Sequence, residues 1–389
     1  MSDERWSHTV GRIGRTMALT GLALAIAGSD GEPGTEEEPR TPVQAALRAQ
    51  ELQREALAPV RDALRRSLEV AGPVHVLALS GGGQWGAFGA GFLKGWTESG
   101  QRPESFRVVT GTSTGSLIAT FAFLGREYDD AVGRAYLAIR GDHDVMSKRF
   151  LPFAVLFEDA LAGTKPLRRL IETHITTAMV QAVADQASDG RKLYVGSADL
   201  DHGVFRAFDL TEIASRGDED AQREYVDALM ASTAIPVAFP PVVIDGRTYV
   251  DGGIRRNVFL ELVVDEIRKR RLETGAIEEP ATVYCLVNGA LNVGVSPTRR
   301  RVLDIARRSV DILLDESTEG NLLRIYVQAQ RAGLRFQMAR IPPGMCDAVG
   351  SKENQFDPDL MKCLHVEGQK LGRLPEAWTS EPPLDPAMP

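Results

Sequence analysis

The chain has 389 residues, of which 43% are hydrophobic and 25% charged, so it is long and apolar enough to form a sizeable core and is not a disordered protein. Its net charge of −8 excludes a global attraction to nucleic acid or to an anionic membrane, although a local basic patch remains compatible with it. The three cysteines have no CxxC spacing and form no cluster with histidines, so the sequence gives no indication of a zinc site.

The first 27 residues have the pattern of a signal peptide. Three arginines precede the apolar run TMALTGLALAIA, which is too short to span a bilayer, and residues 25–27 offer an A-x-A cleavage site. This pattern favours export to the periplasm, the outer membrane or the medium, although Asp3 and Glu4 weaken it. The alternative is a short N-terminal helix on a cytoplasmic protein.

The rest of the chain is expected to form one large domain with flanking segments. Pro59 should divide the helical segment that precedes this domain. The expected segments are an acidic disordered linker over 28–43, a helical segment over 44–72, a main domain over 73–372 with its core motifs in 74–290 and a helical extension in 297–372, and an irregular tail over 373–389.

Short apolar runs alternate with helical patterns throughout the main domain. The runs HVLALS, FRVVTGTS, KLYVGSADL and TVYCLVNG are predicted strands, and GAGFLKGWTESG, GSLIATFAFLG and KPLRRLIETHIT are predicted helices. This alternation predicts an α/β fold with a largely parallel central sheet. The apolar stretch 150–157, FLPFAVLF, fits a buried segment better than a lid or a membrane contact.

The first predicted strand leads into the glycine-rich stretch SGGGQWGAFGAG at residues 80–91. Such a stretch could be a flexible joint, a phosphate cradle or a catalytic loop. Gly81, Gly83 and Gly86 fit G-x-G-x-x-G loosely, which keeps a nucleotide-binding protein as an alternative. The next strand, however, does not end in an acidic residue, and no Lys-Ser or Lys-Thr follows the loop as in G-x-x-x-x-G-K-[ST].

A second glycine motif has the pattern of a nucleophile elbow. Gly111, Ser113 and Gly115 form G-x-S-x-G between a predicted strand and a predicted helix. The serine of such a motif occupies a sharp turn, and the glycines on either side remove side chains that would collide there. An ordinary strand-to-helix turn is the alternative for this segment taken alone.

The serine needs a base, and the histidines are poorly placed to provide one. Only His365 follows the serine late enough to fit the usual order Ser, acid, His, and its context gives it no support. Asp251 has a better context, because it ends a predicted strand at Gly252 and Gly253, where the backbone can bend freely. An aspartate that hydrogen-bonds its own turn is the more common role for this context alone.

The blocks SGGGQWG, GTSTG and VDGG occur in this order over residues 74–290, and together they resemble the patatin-like phospholipase family, in its bacterial branch. The resemblance implies a three-layer α/β sandwich with a central, largely parallel sheet. It also implies a lipid acyl hydrolase that needs no cofactor and acts on a lipid or phospholipid through a dyad without histidine. Ser113 would be the nucleophile and Asp251 the general base.

The same resemblance gives the glycine loop a role, because consecutive glycines let several backbone N–H groups point at one oxyanion. Gly81, Gly82 and Gly83 are the expected donors, and the supporting glycines of the three motifs are Gly86, Gly111, Gly115, Gly252 and Gly253. Ser80 stands where the family often has aspartate. Trp85 stands where it usually has arginine or lysine. Trp85 could line an acyl channel, or its lack of charge could leave a catalytically silent lipid-binding protein.

The cysteines have separate expected roles. Cys285 lies in a predicted strand and should be a core residue. Cys346 and Cys363 lie in a polar C-terminal stretch and could form a disulfide in an exported protein.

Overall fold

The structure, a computed structural model, describes residues 41–70, 72–148, 162–274, 281–289, 291, 297–350 and 355–383. The predicted signal peptide, nearly all of the acidic linker and the apolar stretch 150–157 lie outside these residues. The chain divides into two compact units, residues 1–48 and residues 49–389. In the first unit the structure describes residues 41–48, where the first helix begins; the rest of the described chain belongs to the second unit.

The second unit is built around a mixed β-sheet. In chain order the strands are β1 (His75–Leu79), β2 (Val108–Thr112), β3 (Ser147–Lys148), β4 (Ala162–Gly163), β5 (Lys192–Asp199), β6 (Val204–Asp209), β7 (Val242–Ile244), β8 (Arg247–Asp251), β9 (Thr282–Val287) and β10 (Arg335–Arg340). In the central sheet the strand order is β10-β9-β1-β2-β5-β8-β7, and β6 pairs with β5. Strands β3 and β4 form a separate two-stranded sheet. The run from β10 to β5 is parallel, whereas β6, β7 and β8 pair in antiparallel fashion.

Helices cover both faces of this sheet. In chain order they are α1 (Pro42–Glu69), α2 (Gly86–Glu98), α3 (Thr114–Leu124), α4 (Asp129–Leu137), α5 (Lys165–His174), α6 (Thr177–Ala187), α7 (Leu210–Ser215), α8 (Glu219–Ser232), α9 (Gly253–Arg256), α10 (Glu261–Thr274), α11 (Val302–Arg331) and α12 (Pro358–Gly372). Alternate residues of β1 enter different hydrophobic clusters: Leu77 and Leu79 pack in one, Val76 and Ala78 in the other. A parallel strand buried on both faces is typical of a three-layer α/β fold, so the fold prediction is confirmed.

The predicted elements of the main domain are also confirmed, but the helix before it differs from expectation. Pro59 lies inside α1, which continues through it instead of being divided. Proline removes one backbone hydrogen bond from a helix interior. Leu57, Val60 and Leu64 are buried on one face of α1, and this packing outweighs the local cost.

The C-terminal part of the chain completes the core. Strand β10 is the outer parallel neighbour of β9, and α12 lies across α2. A Cβ at Gly91 or Gly95 would collide with the backbone of His365 or Gln369, so these glycines of α2 permit close contact between the two helices. The described residues within 297–372 are therefore part of the domain, and because they include strand β10 the expected helical extension is not wholly helical.

Two further expectations concern the cysteines and the tail. Cys285 is fully buried in β9, as predicted. Cys346 and Cys363 form a disulfide that links the loop after β10 to α12. The described part of the tail contacts the core, where the ring of Trp378 lies 4.6 Å from that of Trp96. Across the described ranges, no helix is both long and apolar enough to cross a bilayer.

Candidate active site

Ser113 occupies the sharp turn between β2 and α3. Its backbone has φ 53° and ψ −126°, in the region that favours glycine. Such a conformation costs on the order of 1–3 kcal/mol and persists only where the surroundings enforce it. A Cβ at Gly111 would lie 2.6 Å from the carbonyl carbon of Gly115, and a Cβ at Gly115 would lie 2.6 Å from the Ser80 carbonyl oxygen. Both glycines are thus required by close backbone contacts, as the elbow motif predicts.

The elbow is also fixed by a second serine. The Ser113 N–H donates to Ser232 Oγ at 3.1 Å, and the Ser232 hydroxyl donates to the Gly196 carbonyl at 2.7 Å. Ser113 is 6% exposed. The nucleophile candidate is therefore held firmly at the end of the sheet with little access to bulk water.

Asp251 is the last residue of β8 and lies beside β5, opposite Ser197. Its Oδ1 accepts a hydrogen bond from the Gly253 N–H at 2.8 Å. Its Oδ2 is buried and has no hydrogen-bond partner within the described residues. A Cβ at Gly252 would lie 2.5 Å from the Gly196 carbonyl oxygen, so glycine is needed for the chain to turn here. One oxygen of this carboxylate, Oδ2, is therefore available to accept a proton.

Burial raises the pKa of Asp251 from 3.8 to about 6. The hydroxyl of Ser113 and the N–H of Gly253 are hydrogen-bonding neighbours that offset part of this rise. The hydrogen bond from Ser113 is not well formed, which is common for catalytic contacts without substrate. Among the described residues, no lysine, arginine or histidine forms an ion pair with Asp251.

The glycine loop places its donors differently from the sequence-based expectation. The Gly81 N–H donates to Asn257 Oδ1 at 3.0 Å. This N–H group is therefore already occupied and, contrary to expectation, is not available to an oxyanion. The N–H groups of Gly82 and Gly83 have no acceptor among the described residues. Gly83 has φ 56° and open space around its missing side chain. Gly82 and Gly83 therefore remain as the donors that an oxyanion could use.

Side chains from distant parts of the chain hold this loop. Ser80 Oγ donates to the Gly81 carbonyl at 2.8 Å and accepts from the Asn288 N–H at 2.8 Å. The Asn288 Nδ2 donates to the Ser80 carbonyl, also at 2.8 Å. Ser80 thus fixes the loop through its hydroxyl. A Cβ at Gly86, where α2 begins, would collide with the side chains of Thr114 and Tyr136.

An apolar cavity of about 740 Å³, including its open mouth, lies against Ser113 and Gly83. Helices α3, α4 and α5 provide most of its wall. The apolar lining comprises Leu117, Phe121, Val132, Ala135, Ile139, Val145, Leu167, Leu170, Ile171, Ile175, Ile235, Phe239 and Phe356. A cavity of this size and character suits an acyl chain.

Trp85 is not among the described residues that line this cavity. It is half-buried against the hydrophobic core, and its backbone N–H donates to the Gly82 carbonyl at 3.1 Å. The structure therefore gives no support to Trp85 as part of an acyl channel. It shows instead that Trp85 helps to form the turn of the glycine loop.

The histidines of the described chain do not form a triad with Ser113. His365 is buried in α12 against α4, and its Nε2 has no partner among the described residues. His202 pairs with Asp199 at 3.0 Å after β5. His174 lines the cavity, which its sequence context did not predict. Burial, with the neighbouring charge of Arg134, lowers the pKa of His174.

No group of three or more histidine, cysteine, aspartate or glutamate side chains in the described residues is arranged to hold a metal ion. The polar groups at this site are instead the Ser113 hydroxyl, which lines the cavity, the Asp251 carboxylate beside it, and the N–H groups of Gly82 and Gly83 in the glycine loop. These are the parts needed for acyl transfer.

Comparison with known proteins gives the site a context. Residues 77–264 match the family model of the patatin-like phospholipases. The match contains the glycine loop, Ser113 and Asp251, so all three motifs lie within the matched region. The chain is also similar to an uncharacterized protein of Acanthamoeba polyphaga mimivirus, with 25% identity over 199 residues. The aligned region is 50% of this chain and 62% of the viral protein, less than two thirds of its length.

Among solved structures, the chain is similar to VipD from Legionella pneumophila, with a TM-score of 0.33 and 11% sequence identity. The similarity covers 79% of this chain and 67% of VipD. Membership of a bacterial branch of the family stays a prediction.

Proposed function

We propose that the protein is a lipid acyl hydrolase, of the phospholipase A, lysophospholipase or esterase type, which cleaves carboxylic esters through Ser113 and Asp251. One observation carries the proposal. A buried carboxylate with a free oxygen and a raised pKa lies beside a serine on a strained turn, and this serine opens into an apolar cavity.

In the first half-reaction, Asp251 accepts the proton of the Ser113 hydroxyl as Oγ attacks the ester carbonyl carbon. Collapse of the tetrahedral intermediate breaks the bond to the alcohol oxygen, and Asp251 returns the proton to this leaving oxygen. An ordinary aspartate is a weak base. The pKa of about 6 makes Asp251 a stronger base than an ordinary aspartate, and the side chain is still mostly ionised at pH 7.

In the second half-reaction, water attacks the acyl-enzyme. Asp251 takes the proton from water and gives it back to Ser113 Oγ when the fatty acid leaves. No histidine is needed in either step, because the carboxylate is adjacent to the serine and the low basicity is offset by proximity. The unpartnered Oδ2 is the atom that we assign to this proton transfer.

The negative oxygen of each tetrahedral intermediate needs donors that are in place before the reaction. We assign this role to the N–H groups of Gly82 and Gly83. Asn257 and Ser80 hold the loop but do not themselves reach the oxyanion in this assignment. Removal of one such donor typically lowers kcat by about 10²–10³-fold.

The apolar cavity supports a lipid substrate over a polar ester. We assign the acyl chain to the cavity, with the carbonyl at Ser113 and the alcohol part directed to solvent. The disulfide between Cys346 and Cys363 supports the expectation of export, because such bonds persist in oxidising compartments.

Hydrolysis of p-nitrophenyl butyrate and octanoate by the wild type and by Ser113→Ala tests the proposal. We expect Ser113→Ala to abolish turnover and to prevent covalent labelling by a fluorophosphonate. Ser105→Ala, which changes an exposed serine, is the matched control and should leave both unchanged. Full activity in Ser113→Ala, or an inactive wild type that still binds lipid, would refute the hydrolase and favour the silent lipid-binding alternative.

A further inference from the structure

We propose that the first three turns of α11, with the arginines just before them, form a binding surface for an anionic lipid bilayer. This surface, which we call the α11 face, consists of Arg299, Arg300, Arg301, Val302, Ile305, Arg308, Ser309, Ile312 and Leu313. Its biological purpose rests on the proposed lipid hydrolase, because it would hold the enzyme at the surface that carries the substrate. Its existence as a lipid-binding surface does not depend on hydrolysis.

The α11 face exposes an unusual amount of apolar side chain. Val302 is 82% exposed, Ile305 49%, Ile312 50% and Leu313 60%. At 100° per residue, these four side chains fall within an arc of about 100° on the helix. A continuous exposed stripe of this kind marks an interaction site more often than scattered single residues do.

Positive charge borders the same stripe. Arg299, Arg300 and Arg301 are exposed where the helix begins, and Arg308 lies along one edge of the stripe by helical position. Over residues 299–315 there are five arginines against three aspartates, an excess of two positive charges in a chain whose net charge is −8. The aspartates and Arg307 fall on the other side of the helix by the same 100° spacing, so the cations nearest the apolar stripe are Arg308 and the three arginines that precede the helix.

The side of α11 opposite the α11 face packs against the candidate active site. A side chain at Gly253, beside Asp251, would collide with Leu314, and the Asn257 Nδ2 donates to Thr318 Oγ1 at 2.6 Å. Asn257 also holds the glycine loop. The middle of α11 is therefore fixed to the site, and Val302 lies about 18 Å further along the axis from Leu314.

A second contact links the side of α11 opposite the α11 face to the wall of the cavity. With its amide oriented to satisfy its neighbours, Gln355 accepts a hydrogen bond from Arg307 Nη1 at 3.0 Å. The next residue, Phe356, lines the cavity. The stripe is therefore exposed on the far side of a helix whose other side is anchored beside the cavity wall.

A bilayer with anionic headgroups fits these features better than a neutral partner. An amphipathic helix with arginine beside an apolar stripe lies flat at such an interface, with the apolar side chains below the headgroups. Each basic residue near an anionic surface typically strengthens binding by about fivefold, and salt screens this contribution. Full binding to an anionic bilayer should therefore require both the apolar stripe and the arginine triplet.

Sedimentation with sucrose-loaded vesicles tests the proposal. The full chain is used in a Ser113→Ala background, so that no lipid is consumed. The vesicles are phosphatidylcholine alone or a seven-to-three mixture of phosphatidylcholine and phosphatidylglycerol. We expect stronger binding to the mixed vesicles, weakened by 300 mM salt, and a loss of about tenfold in Ile312→Ser/Leu313→Ser.

Charge and position have separate controls. Reversal of Arg299, Arg300 and Arg301 to Glu should remove the preference for phosphatidylglycerol, whereas their replacement by Lys should keep it. Leu272→Ser alters a leucine that is 74% exposed on α10, outside the α11 face, and should bind vesicles as the parent does. With Ser113 intact, Ile312→Ser/Leu313→Ser should still hydrolyse p-nitrophenyl butyrate at the wild-type rate.

Two results would overturn the inference. One is equal vesicle binding by the parent and by Ile312→Ser/Leu313→Ser. The other is a concentration-dependent dimer that this double substitution abolishes without changing vesicle binding, which would make the stripe a self-association surface. Vesicle binding without any ester hydrolysis would instead contradict the proposed enzyme and leave the α11 face standing.

Discussion

Asp129 and Asp251 are both buried aspartates, but their surroundings are opposite. Asp129, at the start of α4, accepts hydrogen bonds from Arg102 Nη1 at 2.5 Å and from Thr97 Oγ1 at 2.6 Å. Arg102 is itself buried, so the two charges neutralise each other away from water. Asp251 has one backbone N–H at 2.8 Å, a serine neighbour and no cation in the described chain.

The difference shows how burial can serve two purposes. A paired carboxylate such as Asp129 ties α4 to the end of α2, and removing either partner leaves a buried charge alone. An unpaired carboxylate such as Asp251 is unfavourable to bury in its charged form, which raises its pKa and makes it a better base. Such an arrangement is expected where chemistry, and not packing, requires the charge.

The largest expected effect separates the two aspartates by activity. Asp251→Asn removes the proposed base and should lower kcat for ester hydrolysis by about 10²–10⁴-fold, the usual contribution of general base catalysis. Asp129→Asn should leave kcat within a few-fold, because Asp129 contacts Arg102 and Thr97 and not the cavity. Steady-state kinetics on p-nitrophenyl octanoate measures both. Equal losses in the two variants would show that Asp251 acts only through the fold.

The next prediction concerns stability, and here the substitution at Asp129 should have the larger cost. Asp129→Asn leaves the buried Arg102 without its counter-charge and should lower the free energy of unfolding by about 3–5 kcal/mol. Asp130→Asn is the matched control, because Asp130 forms an exposed ion pair with Lys94 whose loss typically costs about 0–1 kcal/mol. Urea denaturation at pH 7 compares the variants. Similar losses at the two positions would contradict the structural role given to Asp129.

Asp251→Asn should raise the free energy of unfolding, and only at high pH. The folded-state pKa of about 6 exceeds the ordinary 3.8, so the wild type loses stability as pH rises through 6. The full difference corresponds to about 3 kcal/mol, which is an upper bound for the gain in Asp251→Asn at pH 8. Near pH 4 both side chains are mostly neutral in the fold, and the gain should vanish. Thermal unfolding at the two pH values measures it, and a gain that does not change with pH would rule out ionisation as its cause.

The contrast between these aspartates also shows what the sequence could reveal. The elbow at Ser113 could be predicted, because its glycines and flanking patterns are local. The context of Asp251 alone favoured a turn aspartate, and the structure contains that turn bond, from the Gly253 N–H to Oδ1. What local sequence could not show is that this carboxyl group is buried beside Ser113, with a second oxygen that has no partner among the described residues. Only the resemblance to a family suggested that role.

The supports of the site could not be predicted, because they come from far along the chain. Asn257 is 176 residues from Gly81, and Ser232 is 119 residues from Ser113. Neither has a sequence signal beyond being polar. The same limit explains why Gly81 was expected among the oxyanion donors: a run of glycines shows which N–H groups are accessible, but not which are already bonded.

The smallest effect concerns the pH at which hydrolysis begins to fail. Only ionised Asp251 can accept the serine proton, so kcat/KM should fall about tenfold per pH unit below the pKa of about 6. A soluble ester avoids effects of pH on lipid surfaces, and circular dichroism at pH 5 checks that the fold persists. An acidic limb of the pH–rate profile near pH 4 would mean that the base is an ordinary, solvated carboxylate. Asp251 would then not be the unpaired, buried carboxylate that distinguishes it from Asp129. An acidic limb near pH 6 that persists in His174→Gln would exclude the cavity histidine as its source. This control is needed because His174 also lines the cavity and burial lowers its pKa from the ordinary 6.5.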